Sequence, residues 1–171
     1  GVYAATYPEK VNSLLLISPG GVVSAEPSEM QRLMTAGGAN PLLVENAEDY
    51  DRLMDFVFVQ VPFVPRPIKH VLVQEAVAHR PQNMEIFTQI RQSWQIEPLE
   101  ALLKGREVST CIIWGSQDRV LHVSGAKILE AAMPNARTVM MDGVGHIPMV
   151  ERPRETAEIY LGFSGHRKWV Q

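Results

Sequence analysis

The chain has 171 residues, of which 46% are apolar and 20% charged, so it has the size and composition of one globular domain with a hydrophobic core. Its net charge of −3 and its lack of a Lys/Arg-rich run argue against nucleic-acid binding. The single cysteine, Cys111, excludes an internal disulfide and a cysteine-based zinc site, and no apolar run reaches the ~18 residues of a membrane span.

The first residues predict the interior of a helix. Gly1-Val2-Tyr3-Ala4-Ala5 places Val2, Ala5 and Tyr3 on its buried side. The sequence has no initiator Met and does not open like a signal peptide. We therefore expect it to be a fragment of a longer parent protein.

Three short apolar runs predict buried strands. They are Ser13–Ile17, Thr110–Trp114 and Thr138–Met141. Apolar runs that are continuous rather than alternating are typical of parallel strands buried on both faces.

Two helices follow these strands. Ser124–Met133, with Ser124 as its N-cap, comes after the second strand, and Pro153–Phe163 comes after the third. Strand, helix, strand and helix in this order predict an α/β fold with a parallel sheet.

A long helical insertion separates the first two strands. Its predicted helices are Glu26–Thr35, Ala47–Phe58, Ile68–Val77 and Pro81–Trp94, and its only strand-like run, Phe56–Val59, is ambiguous. Such an insertion usually covers the carboxyl ends of the strands, where ligands bind in open α/β sheets. We therefore predict a partial core from residues 1–23 and 107–171 and a helical cap from residues 24–106.

The chemistry-bearing residues lie just beyond two of the strands. Asp118 follows the second strand in Trp114-Gly115-Ser116-Gln117-Asp118, and His146 follows the third in Gly143-Val144-Gly145-His146. Adjacent parallel strands lie about 5 Å apart, so both loops should emerge side by side. Asp118 would then accept the Nδ1–H of His146 and stabilise its protonated ring. Gly143 and Gly145 suit a tight loop with unusual backbone angles.

Other residues compete for roles at this site. Asp142 is an alternative acid, although its position beside the third strand favours a turn residue. We predict substrate contact for His122, Val120 and Ile147. His70, His79 and His166 fit helix-surface or tail positions, and Cys111 fits an inert core thiol.

Apolar side chains of the insertion have two interpretations. They either line an acyl-chain pocket or form the core of the cap itself. The residues concerned are Met30, Met34, Leu53, Met54, Phe56, Phe63 and Val64.

The two loop motifs resemble those of the α/β-hydrolases. Trp114-Gly115-x-x-Asp118 and Gly145-His146 are similar to the acid and histidine motifs of that superfamily, whose triad runs Ser, Asp/Glu, His along the chain. Residues 4–11 resemble the helix after the nucleophile. Residues 1–5, 120–126 and 149–154 resemble the lipase and monoacylglycerol-lipase branch.

The resemblance implies that the parent is a serine hydrolase acting on carboxylic esters, with acylglycerol or similar lipid esters as the expected substrates. It implies the C-terminal part of the family's sheet, no metal and no organic cofactor. A membrane-surface association of the parent is compatible with it, whereas compartment and oligomeric state stay open.

One motif of the family is absent. The sequence has no Gly-x-Ser-x-Gly, and its nearest string, Gly162-Phe163-Ser164-Gly165, has the wrong spacing. The resemblance implies that the nucleophile lies upstream and that this chain alone is inactive. Two alternatives stay open: a carbon–carbon bond or small-ester hydrolase of the same fold, and a truncated product without catalysis.

Overall fold

A computed structural model describes residues 1–165 of the chain. Its sheet has three parallel strands in the order β1 (Ser13–Ile17), β2 (Ser109–Gly115) and β3 (Ala136–Met141). β1 pairs with β2 from Ser13 opposite Ser109 onwards. The α/β class and all three strands are confirmed, although β3 begins two residues earlier than predicted.

The described residues also form nine α-helices. In order they are α1 (Val2–Thr6), α2 (Glu29–Thr35), α3 (Ala47–Val57), α4 (Arg66–Ala78), α5 (Arg80–Ile96), α6 (Leu99–Leu102), α7 (Ser124–Ala132), α8 (Pro148–Glu151) and α9 (Pro153–Phe163). A short 3-10 turn, Pro8–Lys10, precedes β1. Helices α2 to α6 lie between β1 and β2; α2 to α5 correspond to the four predicted helices of the insertion, whereas α6 was not predicted.

The core is built around the central strand. Ile112 and Trp114 face one side of β2, in a cluster that includes Leu129 of α7. Cys111 and Ile113 face the other side, in a second cluster that reaches the chain after β3. All four β2 side chains are buried, which explains the continuous apolar run in the sequence.

The N-terminal helix buries a different face from the predicted one. Val2 and Tyr3 are both 57% exposed, whereas Ala4 and Ala5 are buried. Small residues allow the helix to lie close against the core cluster that contains Ala5. The prediction for Val2 and Tyr3 is therefore wrong.

Four helix starts also differ from prediction, and α4 and α5 begin two residues and one residue early. α2 begins at Glu29 rather than Glu26, because Ser28 forms a capping box with Gln31. Ser124 is the first residue of α7 and not its N-cap; its Oγ instead accepts a hydrogen bond from the backbone N–H of Glu26.

The ambiguous run at Phe56–Val59 is not a strand. Phe56 and Val57 end α3, and Phe58 follows as its extended C-cap residue. This segment then passes beside the loop that carries His146, whose backbone N–H donates to Val57 O at 2.8 Å.

Within residues 1–165 no helix is long and apolar enough to cross a membrane. The same residues contain no cluster of three or more His, Cys, Asp or Glu side chains suited to a metal ion.

Candidate active site

The acid loop holds a buried carboxylate with several donors. Asp118 lies three residues after β2 and is 8% exposed. Its Oδ1 accepts hydrogen bonds from the backbone N–H groups of Val120 and Leu121, both at 2.9 Å. Its Oδ2 accepts one from Trp114 Nε1 at 3.0 Å. Hydrogen bonds of this kind fix the orientation of the carboxylate.

The histidine loop brings an imidazole to the same oxygen. His146 Nδ1 lies 2.9 Å from Asp118 Oδ2, and the ring is partly buried. The predicted contact between these two loop tips is confirmed. Because a carboxylate only accepts, Nδ1 carries the hydrogen, which leaves Nε2 able to take a proton.

Glycine allows the two loops to approach each other closely. A Cβ on Gly115 would lie 2.1 Å from Gly145 O, which is too close for any side chain, so this position requires glycine. Gln117 N–H donates to Val144 O at 3.0 Å and ties the loops together. The separation of Asp118 from His146 is therefore set by backbone contact between their loops.

The two glycines before His146 have different roles. Gly143 has φ +65°, as the predicted tight loop requires. Gly145 has no such angle, so that part of the prediction is wrong. It is needed for space instead, because its Cβ would lie 2.3 Å from Val57 O.

The alternative acid, Asp142, has a turn role. It is exposed and its Oδ1 accepts from Ser116 Oγ at 3.1 Å. Ser116 Oγ in turn accepts from Gly143 N–H at 3.0 Å. The carboxylate that accepts the hydrogen bond of His146 is that of Asp118, not that of Asp142.

The residues predicted to contact substrate lie in three settings. His122 is partly buried, and its Nδ1 lies 2.9 Å from Ser124 Oγ. Val120 is 3% exposed and lies in a cluster with Phe56, and its backbone N–H donates to Asp118 Oδ1. Ile147 packs against the same cluster. Substrate contact by any of them stays a prediction.

The remaining candidates are distant from this chemistry. His70 and His79 are exposed on α4 and at its C-terminal end, as predicted. His166 lies outside the described residues. Cys111 is fully buried in β2, and burial raises the pKa of its thiol to about 11.

The insertion borders several cavities. One, of about 440 Å³, is lined by residues that include His122, Trp114, Met30 and Phe87. A second, of about 1130 Å³, lies largely within the insertion. A third, of about 490 Å³, is lined by residues that include Asp118 and His122.

The predicted apolar set divides between the two interpretations. Met30 and Phe56 are buried in a cluster that also contains Val120 of the core, yet Met30 also lines the 440 Å³ cavity. Phe63 is 91% exposed and belongs to neither a pocket nor a core, so its prediction is wrong.

Sequence reasoning missed three residues that support the site. Trp114 binds Asp118 through its indole N–H, Arg119 pairs with Glu29 of α2, and Glu151 binds Gly145 N–H. Only the contact between Arg119 and Glu29 joins residues far apart in sequence; the other two contacts span four and six residues. Only the position of Trp114 within its motif offered a signal.

Known proteins with similar sequences are lipases. The chain is 32% identical over 161 residues to Lipase 3 of Moraxella sp. (strain TA144) and 32% identical over 169 residues to the Homo sapiens monoacylglycerol lipase ABHD6. These matches cover 94% and 95% of the chain. The chain spans about half the length of each relative, 50% in both cases.

A solved structure extends the likeness to three dimensions. The chain superposes on a bacterial membrane phospholipase A with a TM-score of 0.90 and 44% identity, covering 96% of this chain and 52% of that one. No family model matches the sequence. The parallel sheet, the similarity to lipases and this superposition together show that the chain belongs to the lipase-like branch of the α/β-hydrolases.

Proposed function

We propose that Asp118 and His146 are the acid and the base of a Ser-His-Asp triad in a carboxylic ester hydrolase. The observation that carries the proposal is the 2.9 Å contact between Asp118 Oδ2 and His146 Nδ1, made by a carboxylate that three other donors hold in place. This arrangement orients the imidazole and stabilises its protonated form.

The proposed mechanism needs a serine from outside this sequence, since its 171 residues contain no Gly-x-Ser-x-Gly. By "intact protein" we mean this sequence joined to a segment that supplies that serine. The serine oxygen attacks the ester carbonyl while His146 Nε2 takes its proton. His146 then returns the proton to the departing alcohol, and water releases the acid from the acyl-enzyme with His146 again as base.

It follows that the 171-residue chain alone is inactive. Asp118 and His146 have no hydroxyl to activate, and the donors that stabilise the oxyanion belong to the nucleophile turn and an earlier loop of the fold. The alternative is that the chain is a truncated product without catalytic activity. In either case a fluorophosphonate probe should not label the isolated chain, and clear labelling would mean that the chain contains the nucleophile.

The proposed substrate is a lipid ester, such as an acylglycerol or a phospholipid. The similar proteins are lipases, a monoacylglycerol lipase and a membrane phospholipase A. Part of the wall of the cavity beside Trp114 and His122 is apolar, where Met30, Met34 and Phe87 lie, and that part is suited to an acyl chain. Residues 24–106 act as the cap over this cavity, on a core whose described residues are 1–23 and 107–165.

We also propose that the intact protein acts at a membrane surface. Helices α4 and α5 bury none of their residues, and apolar side chains such as Ile68, Val71 and Ile90 are at least 40% exposed. Exposed apolar side chains that form a contiguous surface mark protein–protein or membrane interaction sites.

The assignment of His146 is tested by replacing it in the intact protein. His146→Ala should lower kcat on a p-nitrophenyl ester by about 10⁴-fold or more, because no other group in the site takes the serine proton. His70→Ala is the matched control, since His70 is exposed on α4, and it should keep full activity on a short ester. Near-normal turnover by His146→Ala would refute the triad.

The substrate class needs a separate measurement. A lipase-like enzyme should hydrolyse medium and long acyl esters well, with kcat/KM rising from short to medium chains. A preference for dienone acids would favour the carbon–carbon bond hydrolase instead.

A further inference from the structure

One acidic side chain outside the proposed triad binds three backbone N–H groups. Glu151 ends the short helix α8, five residues after His146, and is partly buried. Its Oε2 accepts from Gly145 N–H at 3.0 Å and from Val59 N–H at 3.3 Å. Its Oε1 accepts from Gln60 N–H at 2.9 Å.

These three donors belong to two different parts of the chain. Gly145 directly precedes His146, whereas Val59 and Gln60 follow α3 in the insertion. The carboxylate of Glu151 therefore fastens the histidine loop to the chain leaving α3. Ordinary backbone pairing offers no partner that could replace it, because all three groups are donors.

A second set of contacts holds the same two segments together. The backbone N–H of His146 donates to Val57 O at 2.8 Å. Gly145 approaches Val57 O so closely that a Cβ there would lie 2.3 Å from it. With Glu151 on one side and Val57 on the other, the backbone on both sides of the Gly145–His146 peptide is fixed.

We propose that Glu151 is a positioning residue that holds His146 in register with Asp118 and couples the histidine loop to the insertion. The inference rests on the proposed function of His146. The carboxylate does not touch the reacting atoms; it acts by setting the backbone from which the imidazole projects. Small displacements of a catalytic group lower the rate strongly, so loss of this carboxylate should lower turnover more than binding.

The test uses Glu151→Gln in the intact protein. Gln keeps the shape but presents an N–H₂ where one carboxylate oxygen accepted, so at least one of the three donors loses its partner. We expect kcat to fall by about tenfold to a hundredfold per competent site, with KM changed less than about threefold. Competent sites are counted by stoichiometric labelling with a fluorophosphonate.

Two variants accompany this measurement. Glu155→Gln, an exposed glutamate on α9, is the matched control and should keep the parent kcat. Glu151→Asp keeps the charge but is one methylene shorter, so it can reach Gly145 or Gln60 but not both, and an intermediate loss is expected.

A merely structural role gives a different result. It would reduce the number of sites that label but leave kcat per labelled site unchanged, and that outcome would overturn the inference. A spectroscopic readout is also available: the downfield proton resonance of a carboxylate-bound His146 Nδ1–H should weaken or broaden in Glu151→Gln but not in Glu155→Gln.

A failure of the inference can be told from a failure of the proposed function. If His146→Ala keeps its activity, the triad is wrong whatever Glu151 does. If His146→Ala is inactive while Glu151→Gln turns over normally per site, only the positioning role is wrong.

A third measurement needs no variant. The amide protons of Val59, Gln60 and Gly145 should be protected from exchange in the parent and should exchange together, because one carboxylate holds all three. Rapid and independent exchange would overturn the inference even if Glu151→Gln failed to fold.

Discussion

The indole N–H of Trp114 is one of four donors on the Asp118 carboxylate, and it shares Oδ2 with His146. Trp114→Phe removes that donor and keeps an aromatic ring in the core. The carboxylate retains its other partners, so we expect kcat/KM on a short ester to fall by about tenfold, together with a stability loss of about 1–3 kcal/mol. Ester kinetics and thermal melts of the intact protein measure both effects.

The control for this change is a core substitution on the same strand. Ile112→Val shortens a fully buried side chain of β2 that makes no bond to the acid, and such changes cost about 0.5–1.5 kcal/mol. It should lower stability without lowering kcat. Equal kinetic losses in both variants would show that the Trp114 effect is only destabilisation.

A second residue-scale prediction concerns Cys111. Because burial raises the pKa of its thiol to about 11, only about one molecule in a thousand carries the thiolate at pH 8. The native intact protein should therefore leave this thiol unreacted with a chromogenic disulfide reagent for hours, and should release one equivalent at this position after denaturation. Rapid reaction in the native state would mean that β2 opens readily.

At this scale the sequence predicted some contacts and missed others for a physical reason. Asp118 and His146 could be placed because residues that follow adjacent parallel strands emerge at one edge of the sheet. Glu151 could not, because its partners in the insertion depend on how that segment folds back. The prediction of Ser124 as an N-cap failed for the same reason, because its hydroxyl accepts a hydrogen bond from Glu26 N–H, 98 residues away.

Among the elements, α2 is fastened to the acid loop by Arg119. Its guanidinium donates to both Glu29 oxygens, at 2.8 and 2.7 Å, and lies 4.3 Å over the ring of Phe56. A backbone hydrogen bond joins the same two segments, because Met30 N–H donates to Arg119 O at 3.0 Å. The residue after the proposed catalytic acid thus connects the core to two helices of the insertion.

This pairing makes the stability of the contact depend on pH. The hydrogen bond from Arg119 holds the pKa of the Glu29 carboxyl below its ordinary value of 4.5. A lowered pKa in the folded state means that the stabilisation is complete above pH 4.5 and is lost as the pH falls through the lowered value. Glu29→Gln should therefore lower the Tm at pH 7 but not at a pH below that transition.

The expected size is small because both side chains are about two-fifths exposed, at 43% and 39%. Solvent screening limits such a pair to about 1 kcal/mol or less, which is a Tm change of a few degrees at most. Glu48→Gln, in the first turn of α3, controls for the loss of a helix N-terminal charge. If the Tm fell by the same amount in both variants at every pH, the contact with Arg119 would contribute nothing to stability.

Most element bounds followed from local sequence. β1 and α9 begin and end where the sequence indicated, because each is bounded by clear turn or proline signals. The four-residue helices α6 and α8 were missed, since one turn is too short to show a periodic pattern. The orientation of α1 failed because alanines, rather than larger apolar residues, face the core.

At the scale of the whole molecule, the sheet has an apolar strand at its edge. Within residues 1–165, β1 pairs with β2 on one side only, and Leu14–Ile17 present backbone groups on the other. An apolar edge with unpaired N–H and C=O groups is a template for intermolecular pairing. We expect the 171-residue chain expressed by itself to form oligomers or aggregates and to melt without a sharp transition, as measured by size-exclusion chromatography with light scattering and by calorimetry.

The same edge makes a complementation experiment possible. If the segment that supplies the proposed nucleophile also pairs with β1, co-expressing it as a separate polypeptide should restore a monodisperse complex and fluorophosphonate labelling. Labelling should then fall on the added segment and should be lost with His146→Ala in this chain. A monodisperse monomer of the 171-residue chain with a sharp cooperative melt would contradict the edge argument, because it would show that β1 needs no second neighbour.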